Sequence, residues 1–354
     1  KTVAGINRNI PRGKRSSNQK RNENRADAAY ADKSFCSSYK IYNSDNSYDG
    51  FSERSECDKK QPLPMSKAEL FEQVGKDVPD FVLVAGDAYI DHPSFGTAII
   101  GRVLLSHGYS VGIIAQPNWK SAESFKVFGK PRLGFLVNSG NMDSMVNHYT
   151  SAKKPRSEDA YTPGGKAGFR PDYAVKVYTQ ILKRLFPHVP VVIGGIEASL
   201  RRLTHYDYWN DTLKPSVLAE SGADLLIYGM GERVVQQVAR AMRNGYNAKL
   251  LRKIRQVAFL SDESYVARLD PAATIRLRSY EECLADKTAF GENFTVIETQ
   301  SNLMEPTATL VEAVGDRCVV VTPANTTLTT EELDHSFDLS LIHISEPTRL
   351  LSIS

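Results

Sequence analysis

The chain has 354 residues, 41% apolar and 24% charged, values of an ordinary folded protein that exclude wholesale disorder. Its 44 Lys and Arg against 41 Asp and Glu leave a net charge of +3, which argues against a strong field for nucleic acid or anionic membrane. No apolar run approaches the roughly 20 residues of a membrane helix, and Lys1-Thr2-Val3-Ala4-Gly5 does not open a secretory signal.

Residues 1–61 are rich in Ser, Asn, Lys, Arg and Asp and hold no apolar periodicity, so a disordered basic and polar tail is predicted. Arg12, Lys14, Arg15, Lys20, Arg21 and Arg25 could touch nucleic acid. Acidic residues and an absence of interleaved aromatics favour a solvated tail instead. Residues 62–262 read differently, as strand alternating with helix. Phe81–Ala85, Val111–Ala115, Gly134–Val137, Val189–Ile193, Asp224–Tyr228 and Gln256–Leu260 are short apolar runs of the kind buried on both faces. Between them, Gly96–His107, a short helix capped by Ser121, Tyr173–Phe186 and Glu232–Met242 have helical spacing, several stopped by Gly or Pro. This alternation predicts an α/β fold: a Rossmann-like, doubly wound, mostly parallel sheet of five or six strands. Residues 263–339 offer one firm strand, Cys318–Val321, and a helix start at Thr330; a poorly ordered linker is expected there. The final stretch, 340–354, resembles the peptide made when sequencing-adapter DNA is translated, and is expected to be non-native.

Parallel strands bring the segments that follow them to one rim, the carboxyl edge where such sheets bind ligands. Those segments are residues 86–96, 116–121, 138–144, 194–202 and 229–233, four of them with glycine. They make Asp87, His92, Gly194, Gly195, Glu197, Gly229, Gly231 and Glu232 candidate contacts for a small molecule with hydroxyls or amines. Gly96, which ends the first segment, joins them. The carboxylates alternatively cap helices or pair with Arg201, Arg202 or Arg233.

Other motifs carry less. Gly229-Met-Gly-Glu-Arg-Val234 fails the last glycine of a dinucleotide fingerprint, and Thr162–Ala167 lacks phosphate-loop spacing. The surrounding Lys153, Lys154, Arg156, Lys166 and Arg170 form a basic loop, read as solvated or as holding an anion. His205, Asp207 and Asp211 could be offered to a metal, though aromatics as dense as theirs usually pack. Cys36, Cys57, Cys283 and Cys318 stand far apart, with no CxxC or CxxxCxxC, which argues against disulfides and thiolate metal sites and favours a cytoplasmic setting. No catalytic residue and no metal ligand is assigned.

Taken together, GDAYIDHPSFG (86–96), GIIAQPNW (112–119), GNMDSMVNHYT (140–150), EDAYTPGG (158–165), IGGIEASLRR (193–202), HYDYW (205–209) and YGMGER (228–233) resemble the amino-terminal part of the YgiQ-like family of radical S-adenosylmethionine proteins. The resemblance runs from about Leu63 to Asp262 and returns weakly at Gly315–Arg317 and Leu328–Asp334. It implies an accessory domain ahead of a barrel whose CxxxCxxC cysteines hold a 4Fe–4S cluster that binds S-adenosylmethionine. That barrel, a partner in cis, would begin after 328–339, so no position here inherits the cluster-ligand role. The glycine turns also resemble cobalamin-binding domains, in which a DxHxxG loop supplies the lower cobalt ligand. Here Asp91 and His92 are adjacent and the Asp–His spacing of that loop is not reproduced. The function implied is an accessory part of a radical S-adenosylmethionine enzyme, cut off before the catalytic core; the alternative is a non-catalytic nucleotide- or corrin-binding module.

Overall fold

A computed structural model describes residues 61–245 and 251–340, all within one compact unit. The predicted tail up to residue 60 and the adapter-like residues 341–354 lie outside the described residues. In chain order the elements are α1 (Lys67–Val74), β1 (Phe81–Ala85), α2 (Gly96–Ser106), β2 (Val111–Ala115), β3 (Gly134–Asn138), α3 (Ser144–His148) and α4 (Ala174–Leu185). Then come β4 (Val191–Ile193), α5 (Gly195–Leu200), β5 (His205–Asp207), β6 (Thr212–Lys214), α6 (Val217–Ser221), β7 (Leu225–Ile227) and α7 (Glu232–Arg243). The last are β8 (Val257–Ser261), α8 (Glu263–Val266), β9 (Thr274–Arg276), α9 (Tyr280–Ala285), α10 (Lys287–Ser301), β10 (Thr309–Val314), β11 (Arg317–Val321) and α11 (Thr330–Asp338).

One nine-stranded sheet orders them β2-β1-β3-β4-β7-β8-β11-β10-β9, with β5 and β6 forming a separate hairpin. The first five are parallel neighbours, and the chain steps outward from β1 in both directions. The order therefore reverses between β1 and β3, the switch point of a doubly wound sheet. Side chains alternate between two cores, as period-2 geometry requires. Val82 and Val84 of β1 join Tyr178 and Leu182 of α4 on one face, while Phe81 and Leu83 meet Val103 of α2 and Val238 of α7 on the other. Each such aliphatic side chain fully buried contributes roughly 1.5–3 kcal/mol.

Two expectations are corrected here. The sheet exceeds five or six strands, because residues 263–339, expected to be a poorly ordered linker with one strand, supply β9, β10 and β11. And β8 runs antiparallel to β7, with β11 antiparallel to β8 in turn. Val319 and Val321 of β11 enter one core and Val320 the other, so this segment is buried on both faces like the parallel strands. A long-range tie adds to the seam: Thr204 N–H donates to the buried Glu312 carboxylate of β10 at 2.8 Å. Among the described residues no helix is long and apolar enough to cross a membrane.

Candidate functional site at the carboxyl edge

At the switch point the rim is filled by the chain itself. The loop between α3 and α4 folds over the ends of β1 and β2: Ala88 N–H donates to Tyr161 O, and Gln116 Nε2 reaches Thr162 Oγ1 at 2.6 Å and Gly86 O at 3.2 Å. Inside lies Arg170, read from sequence as part of a solvated or anion-holding basic loop but only 2% exposed. Its guanidinium pairs with Asp87 at 2.8 Å and Asp159 at 2.9 Å and donates to Ser139 O. Asp87 also accepts from Asn141 N–H at 2.7 Å. The glycines make this closeness feasible. A Cβ on Gly140, whose φ is +103°, would stand 2.0 Å from Asp87 Oδ1, and one on Gly86 equally close to Ser139 O.

Two carboxylates share one guanidinium in a dry space, so their titrations part. Burial pushes the Asp87 carboxyl up, against the opposing Asn141 N–H and Arg170. Burial acts the same way on Asp159, but the Tyr161 N–H and Arg170 outweigh it and hold that carboxyl below its ordinary value. Asp87, expected to face a ligand, is thus a buried member of an internal ion-pair cluster.

Glu197 is corrected in the same way. It is 1% exposed, and its carboxylate accepts from Ser144 N–H at 2.9 Å and Val175 N–H at 3.0 Å, with Arg201 at 3.5 Å. Burial pushes its carboxyl up, against the attraction of Arg201. Its role here is to hold the starts of α3 and α4, the capping alternative. Arg201 also pairs with Asp143, which caps α3.

The glycine turns contact the segments beside them. Gly195, at φ +79°, sits with its would-be Cβ 3.2 Å from Asn138 Cβ at the end of β3, and Asn138 hydrogen-bonds Thr97 at the start of α2. Gly194 N–H donates to Val137 O, Gly229 N–H to Ser199 Oγ, and a Cβ on Gly231 would meet Ile100 at 3.4 Å and Ile227 at 3.5 Å. Segments after β1, β3, β4 and β7 therefore meet on one edge. Gly96 and Glu232 are the first residues of α2 and α7. His92 is half-buried, its Nδ1 accepting from Ser94 N–H. Asp91 is turned away, toward Arg102 and Tyr89, which deprives His92 of an orienting carboxylate.

The metal alternative in the hairpin resolves into packing. Asp207 accepts from Tyr173 and Asn210, and Asp211 from Tyr206. Among the described residues no three His, Cys, Asp or Glu gather as metal ligands. Cys283 and Cys318 are buried, and burial pushes both thiols up, to about 11 for Cys283, the reverse of what a thiolate ligand needs. The described residues do not fit an iron–sulfur cluster.

Comparison with known proteins then decides the family. A family model for the radical SAM N-terminal domain matches residues 62–349. The chain belongs to this family. Among its relatives, a UPF0313 protein of Porphyromonas gingivalis is 50% identical over 287 residues, covering 80% of this chain and 45% of that protein. UPF0313 proteins of Bacteroides thetaiotaomicron and Clostridium botulinum are 48% and 46% identical, with 47% and 43% of their lengths covered. This radical SAM N-terminal chain thus spans less than half the length of the curated relatives it matches. A solved radical S-adenosylmethionine methyltransferase, TsrM from Kitasatospora setae, with tryptophan substrate and a SAM analogue bound, is similar at 15% identity and a TM-score of 0.35, over 52% of this chain and 28% of that one. That likeness is too remote to carry the functional reading.

Proposed function

We propose that this chain is the amino-terminal accessory part of a radical S-adenosylmethionine iron–sulfur enzyme, with the 4Fe–4S cluster and S-adenosylmethionine held by the part of the longer relatives that it does not span. The carrying observation is the family match over residues 62–349, together with a relative of which this chain covers only 45%. The carboxyl edge supports a role in contact with that remainder. Ile196, Leu200 and Met230 are exposed around the Gly194–Gly195 and Gly229–Gly231 turns, an apolar border on a rim with open backbone. Such a rim suits a small molecule presented between two domains, which are frequent hosts of ligand sites. The alternative, a non-catalytic nucleotide or corrin module, predicts binding by this chain alone.

The test compares this chain with a full-length relative, both reconstituted anaerobically with iron and sulfide. The expected outcome is visible cluster absorption and turnover of S-adenosylmethionine only in the full-length protein. Neither signal in a correctly folded full-length protein would overturn the reading. Calorimetric titration of this chain with cobalamin and with nucleotides separates the alternative.

A further inference from the structure

The same edge carries a cavity of about 40 Å³ further along the sheet, beyond the residues singled out from sequence. Arg202 follows α5, Tyr228 follows β7, Gln300 lies in the last turn of α10 and Thr322 follows β11; all four line it. Tyr228 OH donates to Thr322 O at 2.6 Å, which fixes the ring, and the Arg202 guanidinium lies 5.1 Å from the ring centre. One arm of that guanidinium is used, Nη1 donating to Ser199 O at 2.7 Å. Its Nε is buried without an acceptor, and the Gln300 amide oxygen is buried without a donor. Among the described residues no carboxylate pairs with Arg202; Glu298, exposed, acts on it only at longer range. Arg255 adds a second cation that has no carboxylate partner among the described residues: it braces Ala324 O and Pro306 O, at the cavity wall, and acts on Tyr228.

A half-buried guanidinium without a counter-ion is costly, and natural proteins pair such groups or present them to a ligand. The unused Nε and Nη2 are the parallel donors of a bidentate fork, which matches the two oxygens of a carboxylate. The cavity is small, about 40 Å³, and open to solvent, which favours a planar carboxylate end over a bulkier tetrahedral phosphate. We propose that Arg202, with Gln300 and the Tyr228 ring, forms a subsite for the carboxylate end of a small molecule. The Gln300 amide, turned to present its NH2, supplies a third donor, and the rest of the ligand extends along the rim toward Met230. This inference does not depend on the radical chemistry of the longer relatives.

Ligand-observed NMR titration of the 354-residue chain with acetate tests it, with acetamide and inorganic phosphate in parallel. Saturable acetate binding is expected, with acetamide and phosphate at least tenfold weaker. Arg202→Gln is expected to weaken acetate at least tenfold, and Arg202→Lys several-fold because a lysine lacks the fork. Gln300→Leu keeps the charge, and a several-fold loss is expected. If Arg202→Gln fails to fold by circular dichroism, the Gln300→Leu variant and the acetamide arm decide. The proposal is overturned by absent saturable acetate binding, which leaves the cavity to structural water. Equal affinity in a folded Arg202→Gln variant, or phosphate binding as tight as acetate, overturns it as well.

Discussion

Arg170 shows how one residue organises a rim. With Asp87 and Asp159 gathered on its guanidinium, its removal leaves two buried carboxylates without a cation, a change that typically costs about 3–5 kcal/mol. Arg170→Met is therefore expected to lower the urea midpoint strongly, and more at pH 8 than at pH 5, where the carboxyls can take up protons. Adding Asp87→Asn should recover part of the loss; no recovery would separate the pair energetically. Glu312 gives a prediction of opposite character. Burial pushes its carboxyl up to about 7, against the Thr204 N–H. In the unfolded chain it ionises near the ordinary glutamate value, so folding takes up a proton between the two. The resulting stability is complete at pH 4 and declines as pH rises to about 7, by roughly 3 kcal/mol for that span at 1.36 kcal/mol per unit. Denaturation curves at pH 5 and pH 8 check this: Glu312→Gln should flatten the difference, and an unchanged pH dependence would show that another group titrates.

At the scale of elements, strands β1, β2 and β3 were legible because each is an unbroken apolar run flanked by polar residues. The helices α2, α4 and α7 were legible from their periodicity, each within a residue or two of its predicted bounds. The strand β10 was not, because Glu312 interrupts the apolar pattern of Thr309–Val314 although its side chain is buried. Nor was the direction of β8, which depends on the path of the chain after α7 and leaves no mark on the strand's own residues. The site divides likewise. Glycine turns announce themselves by composition, whereas the Arg170–Asp87 pairing joins residues far apart in the chain and has no local signal; burial of a lone arginine in a basic loop is visible only in three dimensions. Two predictions belong here. Gly195→Val forces a β-branched residue to φ +79° beside Asn138, and about 2 kcal/mol of destabilisation is expected from chemical denaturation. Ending the chain after residue 262 strips β11 from β8, baring an apolar strand edge and both cores at once. Such a truncation should aggregate on size exclusion; a monodisperse monomer would mean that the parallel part suffices alone.

At the scale of the whole molecule, the two reversals through β8 and β11 have an effect on chain direction. A strand twice reversed points the way β7 points, so the chain leaves β11 on the carboxyl edge, where α11 then packs against α2. By residue 340 it has returned to the first rim segment, the Ser340 hydroxyl donating to Asp91 O at 3.2 Å. On the proposed reading, the remainder of the longer relatives would start beside the rim instead of across the sheet from it. A short flexible tether at that point would impose an effective concentration in the millimolar range. Contact between the rim and such a domain would then be able to stay individually weak, open and close freely, and still be populated most of the time. That is the regime in which a small molecule can enter and leave an interdomain site without either half letting go of the other.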